Sequence, residues 1–516
     1  MLKSTIRALH AGSAIMLTSL LASAANAQTA NDATPANGAP QETIGVGEII
    51  VTAQKRAESL QVVPIAVSAF SQDMLQRRGL LGGADLQQAI PNVSFGATGF
   101  NRYNFQIRGI GSQIQGFSVD TGVGVHENNI PLTANRLAEA EFYDVERVEV
   151  LRGPQGTLYG RNATGGVINV ITAKPGDAFS GSITGELGRY DTRRLRGFVN
   201  IPLTDTLAVR AAGTMIKRDG TSYNSGTGNF VDSRDLWSTR LTAAWKPSSN
   251  FRATAMWEHF RENDTRGGGQ KVICAPASPV TSIGGVATDP LTSGLLTPGC
   301  LNNAPSDKAN TGAVSSLATL HGLFGALLGI QPNNAFAGRV LSSDIREVQS
   351  SFDPRNVITS DLLSWEMELQ LSDALKVTSL SSYSKDRFAT ESYIYGGLPT
   401  SGLLVTPITP GGVFTDPQLG TSNRLEARFL NRQNSRQYSQ ELRIQSDFKG
   451  PINFNLGGIY LDYKQNNDLI GMSNSVTAFA VAQNFSGAGI YIDPLATPDG
   501  TGHNYYNNKG PYRLRV

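Results

Sequence analysis

The sequence predicts a mainly β protein in which a small α+β domain precedes a transmembrane antiparallel β-barrel. Three observations lead to this fold class. The chain begins with an export signal, it contains strongly alternating strands after residue 175, and the connections between those strands are alternately short and long. Alternation gives each strand one face for lipid, and the unequal connections are typical of barrels with short periplasmic turns and long external loops.

The N-terminus has the three regions of a secretory signal peptide. Lys3 and Arg7 provide a positive start, residues 11–22 form a short apolar core, and residues 25–27 (Ala-Asn-Ala) fit a cleavage site with small residues. The apolar core is too short to cross a bilayer as a helix. We therefore expect residues 1–27 to be removed during export.

Composition and motifs argue against nucleic-acid binding and against catalysis. Lys and Arg number 44 and Asp and Glu number 42, so a net charge of +2 creates no field that would attract nucleic acid. The five histidines are far apart, and neither a zinc-protease HExxH nor a GxSxG nucleophile motif occurs. We expect no enzymatic activity, no catalytic residue, no cofactor and no metal.

Residues 54–175 have the mixed pattern of a compact α+β domain. A strand is predicted over 63–70, followed by a helix over 71–78 that ends at Gly79 and a second helix over 85–90. Further strands are predicted at 104–110, at 123–130, around Arg147 and at 167–172.

Residues 176–516 read as barrel strands. Residues 363–371 are the clearest case, because Leu, Trp, Met, Leu and Leu alternate with Ser, Glu, Glu and Gln. Such runs approach the roughly 9–11 residues that a tilted strand needs to cross a bilayer. Strands are predicted near 181–189, 193–203, 207–217, 236–246, 251–262, 362–372, 375–386, 438–447 and 452–464. Alternation alone would also suit a soluble β-sandwich, but the alternately short and long connections favour the barrel.

The predicted strand count is about nine, which is odd and too small for a large closed barrel. Bacterial barrels have even strand numbers, and an open sheet in lipid would leave unpaired backbone groups at two edges. The sequence therefore predicts an incomplete barrel in 176–516, and we expect the 516-residue product not to insert as a closed barrel. Residues 48–175 are expected to fold alone.

The segment 144–175, DVERVEVLRGPQGTLYGRNATGGVINVITAKP, carries a specific family resemblance. It closely resembles the end of the plug domain of TonB-dependent outer-membrane receptors. This resemblance implies that 54–175 is a plug and that 176–516 begins a barrel of about 22 strands. It also implies energised uptake of a scarce solute, such as a ferric siderophore, cobalamin or a glycan, across the outer membrane of a Gram-negative bacterium. The implied partners are the periplasmic TonB protein, outer-membrane lipid and an extracellular solute.

The segment before the predicted plug has the form of a TonB box. Residues 28–47, rich in Ala, Pro, Asn, Gly and Thr, are predicted to be a flexible linker. An exposed, β-prone segment follows that would pair with the edge of a partner's sheet. Its residues are Glu48, Ile49, Ile50, Val51, Thr52 and Ala53.

The resemblance also implies ion pairs between the plug and the barrel. Arg108 in IRGI and Arg152 in LRGP match plug arginines that, in the family, pair with glutamates of the inner wall. Glu441 in QELR lies at a matching wall position, and Glu366 or Glu368 faces the lumen by alternation. The alternative is that these are ordinary solvated charges.

The long connection 263–361 contains the two cysteines and an apolar stretch at 317–330. In an oxidising envelope Cys274 and Cys300 are expected to form a disulfide, the alternative being two unpaired loop thiols. The apolar stretch is too short to span a membrane and is predicted to be a helix folded into the loop or over the substrate entrance.

Two other functions remain open at this point. A passive or gated porin would need no TonB box, and a truncated remnant of a receptor would fit the low strand count. The resemblance to TonB-dependent receptors favours energised uptake over both.

Overall fold

The structure of the chain is a computed structural model. It describes residues 49–515 apart from short gaps, so the predicted signal peptide, the linker and Glu48 lie outside the described residues. The gaps are 97–103, 112–120, 135–140, 267–273, 298–300, 303, 305–306, 313–318, 333, 394–397 and 486–488.

The first part of the chain forms a compact α+β domain, which we call the plug. Its central sheet has five strands in the order β3-β8-β9-β6-β7, in which β6 and β9 are parallel and the other neighbours antiparallel. Its strands are β1 (Ile50–Val51), β2 (Glu58–Ser59), β3 (Val67–Ser71), β4 (Val93–Gly96), β5 (Asn104–Ile107), β6 (Val123–Glu127), β7 (Ile130–Pro131), β8 (Val145–Arg152) and β9 (Gly166–Thr172). Its helices are α1 (Gln72–Arg77), α2 (Leu86–Ala89) and α3 (Gly156–Tyr159), with a short 3₁₀ turn at Gly83–Asp85.

The two predicted plug helices are present, and their ends follow from local chemistry. The Ser71 hydroxyl accepts a hydrogen bond from the Met74 N–H (3.3 Å), which caps the start of α1. Gly79 adopts φ +65° just after this helix, a conformation that costs glycine little. The plug has its own apolar core, in which residues of β3, β4, β5, β6, β8 and β9 pack with residues of α1 and α2, including Phe70, Leu86 and Val148.

The second part forms one large antiparallel sheet of ten strands, which we call the wall. The strands follow in the order β10-β11-β12-β15-β16-β22-β23-β26-β27-β28, and each pairs with its neighbour along the chain. They are β10 (Ser180–Gly188), β11 (Thr192–Pro202), β12 (Leu207–Arg218), β15 (Arg234–Ser248), β16 (Phe251–Asp264), β22 (Arg355–Ser372), β23 (Leu375–Tyr393), β26 (Ala427–Ser446), β27 (Asn455–Ser473) and β28 (Tyr505–Arg515).

All nine predicted wall strands are present, but the count of nine is wrong for the described residues. The tenth strand, β28, was missed because Asn-Asn-Lys-Gly-Pro interrupts any apolar alternation in its middle. Proline fits only where a strand has a free edge. Within the described part of the chain, β28 pairs on one side only, with β27.

The long connections of the wall lie at one end of the sheet, the loop end, and the tight turns lie at the other, the turn end. Small elements fill the long connections, and no described helix is long and apolar enough to cross a membrane. The strands are β13 (Ser222–Asn224), β14 (Asn229–Val231), β17 (Cys274–Ala275), β18 (Ser282–Ile283), β19 (Val286–Ala287), β20 (Leu301–Asn302), β21 (Glu347–Val348), β24 (Phe414–Asp416) and β25 (Gly420–Ser422). The helices are α4 (Pro290–Leu296), α5 (Leu320–Leu327) and α6 (Asn474–Phe485), with a 3₁₀ turn at Pro410–Gly412.

The two faces of the wall differ as the alternation predicts. The outward face exposes large apolar and aromatic side chains, among them Leu241, Trp365 and Leu442, whose exposed fractions are 49%, 41% and 53%. The inward face buries mainly polar side chains against the plug, together with one apolar patch. A surface that is apolar outside and polar inside is what a strand wall needs to stand in lipid.

Candidate functional site

The segment 49–56, which contains most of the predicted TonB box, is docked between plug and wall. Its strand β1 pairs with β2, with Ile50 opposite Ser59. The Thr52 N–H donates to Glu149 Oε1 (2.7 Å), and the Thr52 hydroxyl is 3.1 Å from the same oxygen. Arg147 donates from Nε to that oxygen (2.7 Å). A fully buried carboxylate on β8 therefore holds the segment.

The prediction that this segment is exposed is wrong. Val51 and Ala53 are 0% exposed and pack into an apolar cluster of plug residues, whereas Ile50 is 43% exposed. Both of the buried side chains are small and apolar, so burial in the plug is more favourable than contact with water. Whether residues 48–53 bind TonB stays a prediction, and Glu48 lies outside the described residues.

Lys55 extends this docked segment onto the wall. Its ammonium lies 3.4 Å from Glu441 Oε2 on β26, and Arg443 Nη1 lies 2.6 Å from the other carboxylate oxygen. The Lys55 side chain is 2% exposed, and its Nζ lies 4.5 Å from the centre of the Tyr159 ring. Burial lowers the pKa of Lys55 to about 8, because the cost of desolvation exceeds the attraction of Glu441.

Three hydrogen bonds from side chains to backbone carbonyls strengthen the same junction. Arg56 donates to the carbonyl oxygens of Ser446 (2.8 Å) and Phe454 (3.3 Å), and Gln445 Nε2 donates to the Lys55 carbonyl (3.1 Å). We call Lys55, Arg56, Glu441, Arg443 and Gln445 the latch. A cavity of about 320 Å³ adjoins it, lined by Lys55, Tyr159, Glu441 and Arg443 and by the wall glycines 457 and 458. The latch therefore has room beside it for side chains to move.

The predicted plug arginines lie elsewhere. Arg108 is in the turn after β5 with φ +54° and an exposed side chain. Arg152 ends β8, and its Nε is buried with no hydrogen-bond partner among the residues that the structure describes. Neither makes an ion pair with a predicted glutamate in that part of the chain.

The predicted wall glutamates all face inward, but lysines and wall arginines are their partners. Glu366 contacts the ammonium of plug Lys174 (2.5 Å), which is a plug–wall pair. Glu368 contacts Lys376 (3.4 Å) and Arg252 (3.8 Å), and both of those residues belong to the wall. Among the three glutamates, Glu441 and Glu366 join plug to wall and Glu368 does not.

A second buried polar group lies where β15 and β16 meet the plug. Arg240 Nε contacts Glu258 Oε2 (2.7 Å) and lies 3.7 Å from Glu127 Oε1 of the plug. The Tyr143 hydroxyl donates to Glu258 Oε1 (3.1 Å) and is 2.9 Å from Ser238 Oγ. We call Glu127, Tyr143, Arg240 and Glu258 the buried seam cluster. All four are buried, and they line one small cavity at the seam between plug and wall.

The seam cluster brings together two acids and one base. Burial, and then the neighbouring Glu258, raises the pKa of Glu127 well above its ordinary value, although Arg240 acts in the opposite direction. A carboxyl group that holds a proton here removes the like-charge repulsion with Glu258. The docked plug therefore favours the neutral form of Glu127.

An apolar contact anchors the plug nearby. Ile130 of β7 is 0% exposed and packs into the apolar patch of the inward wall face. Gln437 supports it, because its Nε2 donates to the Pro131 carbonyl and its Oε1 accepts from the Thr133 N–H (3.1 Å). The wall members of this patch are Ile216, Leu236, Met256, Phe260, Ile358, Leu362, Leu380 and Phe388.

The predicted disulfide is not tested, because Cys300 lies outside the described residues. Cys274 begins β17, which pairs with β20 so that Cys274 is opposite Asn302. The predicted loop helix is present as α5, residues 320–327, and Phe324 lies 4.6 Å from Phe479 of α6 between ring centres.

Several residues of the site were not singled out in the sequence. Glu149 and Arg147 sit in the charged run VERVEV, where two charged residues in a buried strand could have indicated a pair. Lys55 follows the predicted TonB box directly, which was a usable signal. No pattern in the sequence indicated Arg240, Glu258 or Tyr143, because only the fold brings these residues together.

Comparison with known proteins agrees with this architecture. Residues 59–167 match the TonB-dependent receptor plug domain. The chain is 29% identical over 200 residues to the iron-regulated outer membrane virulence protein of Vibrio cholerae, covering 35% of this chain and 29% of that protein. It is 30% identical over 198 residues to the pesticin receptor of Yersinia pestis, covering 38% of this chain and 28% of that protein.

A solved structure extends the similarity to the fold. The siderophore receptor PiuA from Acinetobacter baumannii matches with a TM-score of 0.53 and 14% identity, covering 88% of this chain and 54% of that chain. The chain thus spans less than a third of the length of the two curated relatives and about half that of the solved receptor. The predicted fold class and outer-membrane location are confirmed. Residues 59–167 are a TonB-dependent receptor plug domain, and the chain is homologous to outer-membrane receptors over a little more than a third of its length.

Proposed function

We propose that this chain serves TonB-dependent uptake of a ferric siderophore through the outer membrane. The observation that carries the proposal is the docked segment 49–56, which joins a plug to the surrounding wall through the latch. The similarity to an iron-regulated outer membrane protein and the fold of a siderophore receptor support iron as the cargo.

In the proposed mechanism, TonB pairs with residues 48–53 from the periplasm. The latch lies at the turn end of the wall, because β26 reaches Ser446 and β27 begins at Asn455 there. Short turns face the periplasm in outer-membrane barrels. Val51 and Ala53 are buried, so the segment must leave the plug before a partner strand can add to it.

Release would transmit force to the plug through one buried carboxylate. Glu149 lies in the middle of the plug sheet between β3 and β9, and it accepts hydrogen bonds from both Thr52 and Arg147. Withdrawing Thr52 leaves this carboxylate with fewer donors in a site of low dielectric, which is costly. A pull on the segment therefore destabilises the strand that organises the plug.

Transport of radiolabelled iron tests the proposal. A receptor that contains this chain and has a complete barrel is produced in a Gram-negative host without its own siderophore receptors, and it is offered iron bound to a catecholate, a hydroxamate or a phenolate siderophore. We expect uptake of at least one complex, lost when the host lacks TonB or when its proton-motive force is collapsed. Binding without uptake in every condition would contradict the transport proposal.

The same assay distinguishes a TonB-dependent receptor from a passive porin. Diffusion through a porin continues without TonB, because no energy is used. The docked segment favours the receptor, since a porin has no need of a latched strand at its periplasmic side.

A further inference from the structure

Two cavities follow one another along the inward face of the wall at β26 and β27. The first, of about 320 Å³, lies beside the latch and is lined by wall residues 455–459. The second, of about 50 Å³, is lined by the wall residues Ile459 and Leu461 and by residues of the plug. Because β27 runs from the turn end toward the loop end, the second cavity lies further from the periplasmic side. The two cavities mark a route between plug and wall.

Two aromatic rings of the plug separate these cavities. Tyr159 and His126 line both of them, and these residues are only 3% and 2% exposed. Their ring centres are 5.1 Å apart and their planes meet at 81°, which is a favourable edge-to-face contact. The route is therefore closed at the place where this pair of rings lies.

The docked segment 49–56 holds Tyr159 in this position. The Tyr159 hydroxyl donates to the Thr52 carbonyl (3.4 Å), and the ring centre lies 4.5 Å from Lys55 Nζ in a cation–π contact. Tyr159 also belongs to the apolar cluster that buries Val51 and Ala53. All of these contacts are lost together when the segment leaves the plug.

The element that carries Tyr159 has little stability of its own. Helix α3 has only four residues, and a helix of one turn depends on its tertiary contacts. It ends at Gly160, where φ is +74°, a conformation that glycine adopts at little cost. Thr157 of α3 is exposed and borders the first cavity, so the helix has space into which it can move.

Another segment of the plug, residues 141–144, is fastened to different strands of the wall. Glu141 contacts Arg194 of β11 (2.8 Å), and Arg210 of β12 donates from Nε to Asp144 (2.8 Å). Tyr143, between them, binds β16 through the buried seam cluster. None of these contacts includes a residue of the docked segment. Release of that segment therefore leaves this part of the plug attached to the wall.

We propose that Tyr159 is the gate residue of the transport path. Its ring closes the route along β26 and β27, and it withdraws with α3 when segment 49–56 is released, while residues 141–144 stay fastened. The inference rests on the proposed uptake function and deepens it, because it assigns the side of the plug that opens and the residue that couples release to opening. Tyr159 acts by its position and needs no contact with the solute while the gate is closed.

A reversible crosslink across the first cavity tests the route. Thr157 and the wall residue Asn455 both line this cavity, so Thr157→Cys/Asn455→Cys is joined by a bis-methanethiosulfonate reagent that dithiothreitol removes. The control pair is Glu141→Cys/Arg194→Cys, which joins plug and wall at the fastened segment. Both pairs are introduced into a complete receptor that contains this chain, with its native cysteines replaced by serine.

We expect the receptor crosslinked across the first cavity to bind solute but to lose uptake in proportion to the crosslinked fraction, and to regain uptake after dithiothreitol. The control crosslink should leave uptake as in the parent. Persistent uptake in the receptor crosslinked across the first cavity would overturn the route. Equal loss of uptake in both crosslinked receptors would also overturn it, because the plug would then have to move as a whole.

Leakage of a small solute tests Tyr159 without any siderophore. Nitrocefin is hydrolysed by a periplasmic β-lactamase, so its rate of hydrolysis in intact cells that lack TonB measures passage through the receptor. We expect faster hydrolysis with Tyr159→Ala, which removes the ring between the cavities, and the parent rate with Tyr159→Phe, which keeps it. The matched control is Phe70→Ala, because Phe70 is a similarly buried aromatic residue (4% exposed) that lines neither cavity.

Rates are compared at equal amounts of receptor in the outer membrane. The parent rate in Tyr159→Ala, or an equal rise in Phe70→Ala, would overturn the assignment of Tyr159. Where Tyr159→Ala does not reach the outer membrane, the reversible crosslink tests the same route with Tyr159 in place. Because leakage needs neither TonB nor a siderophore, failure of the gate is distinguishable from failure of the proposed uptake, which would appear as absent iron transport in the parent.

Discussion

Replacing Glu441 by glutamine should release the docked N-terminal segment. The carboxylate neutralises two cations at once, Lys55 at 3.4 Å and Arg443 at 2.6 Å, and the side chains of these cations are only 2% and 11% exposed. Glutamine has nearly the same shape, so the change removes charge and leaves packing intact. Two buried like charges would then face each other without a counter-ion.

The size of the effect follows from the burial of the pair. Removing one partner of a buried ion pair costs about 3–5 kcal/mol. The cavity beside the latch gives the freed cations some access to water, so we expect about 2–4 kcal/mol. That free energy corresponds to a rise of roughly 30- to 700-fold in the population of the released segment, since 1.4 kcal/mol is a factor of about ten.

Thiol labelling of residue 51 measures this population. Val51 is 0% exposed when docked, so a Val51→Cys side chain reacts with a maleimide only when the segment leaves the plug. Cys274 and Cys300 are replaced by serine in this background. The matched control is Glu368→Gln, because Glu368 also faces inward but contacts only wall cations. Labelling of the control should match the parent.

A companion variant tests whether the Lys55–Glu441 attraction itself stabilises docking, or whether the main effect is the cost of burying an unpaired charge. The pKa of Lys55 is lowered to about 8 although a carboxylate is adjacent. The free-energy cost of desolvating the ammonium therefore exceeds the stabilisation that it gains from the ion pair with Glu441. Lys55→Met should therefore leave docking unchanged or tighter, and it should largely rescue Glu441→Gln. If Lys55→Met loosens the segment as much as Glu441→Gln, or if Glu441→Gln labels at the parent rate, the reasoning about the latch is wrong.

Four further predictions concern other parts of the molecule. In a complete version of this receptor, Ile50→Pro should abolish energised uptake but not solute binding, because proline lacks the N–H that a partner strand needs; Ile50→Val is the control, and undiminished uptake would refute the TonB box. Cys274 and Cys300 should be recovered as one disulfide-linked peptide by mass spectrometry of unreduced protein, and free thiols at both positions would refute this. Ile130→Ala should lower the free energy of unfolding by about 2–5 kcal/mol, because the side chain is fully buried in the wall patch; equilibrium denaturation measures the change. Glu127→Gln should flatten the dependence of stability on pH. The pKa of Glu127 is raised in the docked plug, so this group contributes fully to stability below its ordinary pKa of 4.5, and that contribution is lost as pH rises toward the docked pKa. Thermal unfolding between pH 4 and 9 measures this, and the same pH dependence of stability in Glu127→Gln and the parent would refute it.

The strands of the wall could be predicted where lipid imposes a rule on the sequence. Residues 363–371 alternate because one face meets hydrocarbon, and this alternation gave the strand correctly. The strand β26 was predicted only from 438, although it begins at Ala427. Its first half, ARFLNRQNSRQ, is mostly polar on both faces, with Phe429 and Leu430 as exceptions, because it extends beyond the hydrocarbon toward the loops. The alternation of apolar and polar residues disappears where the outer face of the strand leaves hydrocarbon and meets water.

The site was harder to predict, because its residues meet only through the sheet register. Glu441 and Glu366 were identified as wall partners of the plug, and both do contact it. Their partners are Lys55 and Lys174, and neither was predicted. The family pattern pointed to arginines, and nothing in the sequence says which cation reaches a given carboxylate across a domain boundary.

The use of lysine at the latch has a physical consequence for release. An arginine at position 55 would keep its charge at any pH and would form a forked contact with Glu441, which is harder to break. A buried lysine with a pKa near 8 gives up its proton more readily than an exposed lysine, and its ammonium makes one ion pair, at 3.4 Å. The contact therefore fixes the position of the segment while adding little to its stability. Docking depends instead on Glu149, on the two backbone hydrogen bonds of Arg56 and on the burial of small apolar side chains. These contacts lie in succession along residues 49–56, so a pull from the N-terminus would break them one after another rather than all together.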